Sequence, residues 1–81
     1  MTFVLYDESR QEEAIALVKD FRQNGKHVEL AKKAIDKAIR EYVSYAKRNL
    51  CVSMMYLKQN GEIEMVNLIT GKAKIVTKNI K

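Results

Sequence analysis

Two short apolar runs flanking one amphipathic helical stripe constrain this chain more than any other feature. Phe3-Val4-Leu5-Tyr6 is a continuous apolar run of β-favouring residues, the pattern of a strand covered on both faces. Asp7-Glu8-Ser9 breaks it, and Ser9 with Glu12 three residues later reads as a capping box that starts a helix. Ala14, Leu17, Val18 and Phe21 then recur at i, i+3, i+4 and i+7, one stripe facing a core. Asn24-Gly25 ends the helix, with glycine in the left-handed cap position. His27 to Ala31 supplies the second apolar run. A strand, a helix and a strand in about 30 residues form a βαβ unit. Its strands lie parallel, with a right-handed crossover.

The remaining elements follow in the same way. Ala34, Ile35, Ala38, Ile39, Tyr42, Val43 and Ala46 keep a helical period, and Ala31 and Leu50 extend the stripe. The start of this helix is expected between Ala34 and Asp36, with Asp36 as its cap and Asn49 as its stop. Cys51 to Leu57 reads as a third strand, apolar on both faces and therefore central. Asn60-Gly61 is a strong hairpin signal. Glu62 to Ile69 is the expected fourth strand, with Ile63 and Met65 alternating with Glu62 and Glu64. Thr70-Gly71 turns the chain into a fifth strand, Lys72 to Lys78, whose alternating lysines protect an exposed edge. The expected fold class is α/β: a mixed five-stranded sheet in order 2-1-3-4-5, strand 4 antiparallel, with two crossover helices.

Composition narrows the function classes. With 81 residues the chain makes one small domain. The one cysteine, Cys51, has no partner for an internal disulfide and reads as a buried thiol in a reducing cytosol. With His27 the sole histidine, neither a zinc site nor a nucleophile–base pair is expected, and the sequence points to no cofactor and no catalytic residue. No apolar run approaches the roughly 20 residues that span a membrane. The net charge of +5 is uneven. Residues 1–31 carry four basic and six acidic side chains, whereas residues 32–50 carry six and two. Lys32, Lys33, Lys37, Lys58 and Asn60 are the candidate contacts for an RNA or protein partner. The lysines lack interleaved aromatic residues, so a solvated face is the plainer reading of them.

Three short motifs carry a family resemblance. Phe21, Arg22 and Gly25 end the first helix; Tyr45-Ala46-Lys47 ends the second; Asn67, Leu68, Thr70 and Gly71 form the last turn. In this order and spacing they resemble the anticodon-binding domain of class II aminoacyl-tRNA synthetases, closest to the histidyl branch. The departures are systematic. Leu50-Cys51 stands where the synthetases carry glycine-alanine, and Lys58-Gln59-Asn60 where they carry glycine and acidic residues. Val66 and Ala73 replace polar positions whose side chains read unpaired bases. A retained fold signature beside a lost reading signature resembles the synthetase-like regulatory subunit of short-form ATP phosphoribosyltransferase. That resemblance implies a non-catalytic domain over residues 1–81, the C-terminal part of a longer cytoplasmic, oligomeric chain. It implies partnership with the transferase's catalytic subunit. The alternative is the tRNA-binding domain of a divergent histidyl-tRNA synthetase.

Overall fold

The computed structural model describes residues 1–77. Its strands are β1 (Thr2–Tyr6), β2 (Val28–Lys32), β3 (Ser53–Leu57), β4 (Glu62–Asn67) and β5 (Ala73–Thr77). Its helices are α1 (Gln11–Gln23) and α2 (Ile39–Arg48). They form one sheet in the order β2-β1-β3-β4-β5. β1 is parallel to β2 and β3, and β4 runs antiparallel to β3 and β5. This is the expected topology, with β3 in the middle. Lys78, given above to the fifth strand, lies outside the described residues.

The pleat of β1 divides the core in two. Val4 and Tyr6 face α1 and meet Ala14, Val18, Val28 and Leu57. Phe3 and Leu5 face α2 and meet Tyr42, Ala46, Cys51, Met54 and Leu68. An uninterrupted apolar run is what a strand needs when a helix lies on each face. The helices do not reach the far side of the sheet. Met65 on β4 is 42% exposed and Ile75 on β5 is 46% exposed, on opposite faces.

Helix boundaries depart from the sequence reading in instructive ways. The expected Ser9–Glu12 capping box does not form, because Asp7 acts first. Its carboxylate accepts from the Ser9 amide at 3.0 Å and from the Ser9 hydroxyl at 2.6 Å. This caps a 3₁₀ turn, Glu8–Arg10, that precedes α1. α2 begins at Ile39, later than expected, and Asp36 does not cap it. The Tyr42 hydroxyl accepts from the Ala34 amide at 2.7 Å and donates to the Lys32 carbonyl at 3.3 Å, so the preceding loop is bonded out of the helix. Ile35 consequently falls off the stripe and is fully exposed.

Both helices end in the same Schellman motif. In α1, Gly25 donates to Arg22 and Lys26 to Phe21; in α2, Leu50 donates to Lys47 and Cys51 to Ala46. The left-handed position is Gly25 in one and Leu50 in the other, at φ 79° and φ 62°. Leu50 therefore leaves the stripe and stands 83% exposed. Cys51 stays buried but lies before β3 rather than in it. β4 ends at Asn67, so Leu68 and Ile69 belong to the turn, and β5 starts at Ala73 rather than Lys72.

Candidate functional site

The parallel register brings the carboxyl ends of β1, β2 and β3 level at Tyr6, Lys32 and Leu57. In open α/β sheets ligands gather at that edge. All five sequence-selected residues project from it: Lys32, Lys33 and Lys37 at the end of β2 and the loop that follows, Lys58 and Asn60 in the β3–β4 turn. Four of the five are already engaged. Lys33 Nζ donates to the Ala34 carbonyl at 2.6 Å. Lys37 Nζ lies 5.4 Å above the Tyr42 ring, a cation–π contact. Lys58 Nζ lies 3.4 Å from the Glu64 carboxylate. Asn60 builds its turn: its Oδ1 accepts from the Glu62 amide at 3.0 Å. Only Lys32 has no side-chain partner among the described residues, and it is exposed. Asp7 shares this edge, and its hydrogen bonds from Ser9 hold its carboxyl below the usual range.

Arg10 was not singled out in the sequence and is the buried charge of this edge, 6% exposed. Its Nε and Nη2 both donate to the Glu13 carboxylate at 2.9 Å. Its Nη1 donates to the carbonyls of Lys58 and Glu62 at 3.1 and 2.8 Å. A bidentate carboxylate and two carbonyls take four of the guanidinium's five N–H donors, so it clamps α1 to the β3–β4 turn. The available signal was the Arg10–Glu13 spacing of i, i+3 at a helix start.

The thiol and the imidazole stay apart. Cys51 precedes β3 and His27 precedes β2, on opposite sides of β1. Burial pushes the Cys51 thiol up, away from the thiolate that a nucleophile needs. Among the described residues no cluster of His, Cys, Asp and Glu could hold a metal ion, and no helix is long and apolar enough to cross a membrane.

The β4–β5 hairpin carries Val66 and Ala73, two of the residues that depart from the synthetase pattern. Val66 pairs directly with Ala73, and Glu64 with Ile75, all on the α2 face. Val66 also packs on the core cluster under α2. The turn between these strands absorbs the motif residues. Asn67 Oδ1 accepts from the amides of Ile69 and Thr70 at 2.9 and 3.0 Å. Gly71 takes φ 81° and donates to the Asn67 carbonyl at 2.8 Å. Asn67, Thr70 and Gly71 thus shape the hairpin. On the other side of α2, the Tyr45 hydroxyl donates to the Glu29 carboxylate, which raises its phenol above the ordinary value. Tyr45 also stacks obliquely on Phe3 at 5.7 Å, so it is half core and half surface.

The chain is thus an α/β domain with a mixed five-stranded sheet and one helix on each face. Three solved structures share this fold. The RNA binding domain of threonyl-tRNA synthetase from Cryptosporidium parvum Iowa II superposes with TM-score 0.75 at 16% identity, over 95% of this chain and 20% of that one. Histidyl-tRNA synthetase from Nostoc sp. PCC 7120 gives TM-score 0.74 at 11% identity, over 94% and 19%. The apo S. aureus histidyl-tRNA synthetase gives 0.66 at 18% identity, over 94% and 20%. The chain spans about a fifth of the length of each, and at these identities the likeness is one of fold. No protein-family model and no curated protein sequence matches the chain.

Proposed function

We propose that this chain is a non-catalytic interaction module, the C-terminal domain of an ATP phosphoribosyltransferase regulatory subunit, acting in histidine biosynthesis through the parent chain's contact with the catalytic subunit. The observation that carries this reading is the Val66–Ala73 pair on the α2 face of the hairpin. Reading an unpaired base requires donors and acceptors aimed at its edge. Here two apolar side chains and the neighbouring Glu64–Ile75 pair occupy that surface. Apolar groups beside a carboxylate that Lys58 already pairs suit a protein contact. The motif residues Asn67 and Thr70 are spent on the turn, which accounts for a retained fold signature without RNA reading.

A second reading, the tRNA-binding domain of a divergent histidyl-tRNA synthetase, draws on the lysines gathered at the carboxyl edge of the sheet. Two measurements separate the readings. The first compares this chain's affinity for histidine tRNA with its affinity for an anticodon-substituted tRNA at near-physiological salt, since the basic charge alone gives salt-sensitive binding. The expected result is no preference. A preference of about tenfold, about 1.4 kcal/mol, would establish the tRNA reading. The second is co-purification of the parent chain with the transferase catalytic subunit, expected to succeed. Failure to co-purify would overturn the regulatory reading.

A further inference from the structure

α1 lies mainly on β1 and β2, and on its side the sheet continues beyond it across β3, β4 and β5. The register sets Met55 opposite Met65, and Met65 opposite Lys74. The two methionines floor a groove of about 590 Å³, walled by Phe21 from the last turn of α1. That is the size range of clefts that receive ligands or docking side chains. Lys26, Lys72 and Lys74 line it. Lys26 Nζ stands 5.8 Å over the Phe21 ring. No carboxylate lines the groove, and none of the three lysines pairs with one among the described residues.

We propose that this groove docks an amphipathic helix of a partner protein, its apolar stripe on Met55 and Met65 and its flanking carboxylates on the three lysines. An apolar helix face laid in a hydrophobic groove is a recurrent recognition mode. Unbranched methionines adapt to the side chains they meet. Lysines that pair with no carboxylate of their own chain attract carboxylates, steer approach and fix orientation. A second copy of this chain fits poorly, because a twofold contact would set three lysines against three. Single-stranded RNA fits poorly as well, because the floor is thioether and offers a single ring for base stacking. This inference builds on the interaction-module reading, yet it turns on Met55, Met65 and Lys74, which alternate along the pleat with Val66 and Ala73, residues that also border the groove. Its failure would leave the co-purification result untouched.

The test uses fluorescein-labelled helical peptides of about five turns and anisotropy titration of the whole chain. One peptide has a leucine stripe flanked by glutamates, the second the same stripe flanked by lysines, the third a scrambled order of the first. The glutamate-flanked peptide should bind at least about tenfold more tightly than either control. Met65→Glu should abolish that advantage. Lys26→Glu with Lys74→Glu should reverse the flank preference; both side chains are exposed, and circular dichroism checks that the fold persists. Equal binding of striped and scrambled peptides, no binding by any peptide, or indifference to Met65→Glu would overturn the proposal. So would a single-stranded RNA that outcompetes the peptide through the same lysines, or self-association that Met65→Glu abolishes.

Discussion

At the scale of single residues, Leu50 and Cys51 make opposite demands on the chain. A left-handed conformation costs a non-glycine residue about 1–2 kcal/mol, and Leu50 meets it at φ 62° while its side chain faces water. Leu50→Gly relieves that strain but also loosens the unfolded chain. The expected net gain is about 0.5–1 kcal/mol, read as a raised denaturant midpoint with an unchanged slope. Gly25→Ala, at φ 79° with open space around the added methyl, should destabilise by about 1 kcal/mol. Loss of stability in the leucine variant would mean that its side chain has packing partners. Cys51 is 5% exposed and its thiol is raised by burial. A raised pKa keeps the thiol protonated through neutral pH, and only the thiolate reacts. Alkylation by iodoacetamide in native buffer should be far slower than in denaturant, with its pH profile displaced to higher pH. Equal rates would show an open site.

At the scale of elements, the core positions divide by how far each helix reaches. Val18 and Leu57 are 2% and 1% exposed. Leu57→Ala should cost about 2–5 kcal/mol, whereas Leu17 and Ile39, both half-buried, should cost clearly less. Chemical denaturation of the three variants checks the order, and a Leu57→Ala loss no larger than that of Leu17→Ala would show the α1 face misassigned. Element order, sheet topology and the central place of β3 were legible because hydrophobic period and turn residues are local signals. The start of α2 was not, because it is set by the Tyr42 hydroxyl reaching back eight residues to Ala34. The displaced cap of α1 was hidden by competition between neighbours, Asp7 accepting where Ser9 alone would have. Among the site residues, the sequence located the edge that Lys32, Lys33, Lys37, Lys58 and Asn60 share. It did not reveal that all but Lys32 are engaged locally, since those partners are a backbone carbonyl, a ring, a carboxylate on β4 and a backbone amide.

At the scale of the whole molecule, stability is unevenly distributed. β1 is paired on both sides and covered on both faces, and β5 is an edge strand carrying the exposed Lys74 and Ile75. Local opening free energy follows burial and pairing. Amide exchange should therefore be slowest in Phe3, Val4 and Leu5 and fastest in β5, and uniform protection would contradict the layering described here. The position of β1 has a further consequence in time. The strand made first becomes the second strand of the sheet, and its partner register with β3 joins Thr2 to Ser53 across 51 positions. During synthesis the βαβ unit can close early, but one edge of β1 stays open until β3 has left the ribosome. For that interval the most apolar segment of the chain is half a sheet without its neighbour, the species that chaperones shield and that a premature stop codon before β3 would leave permanently exposed.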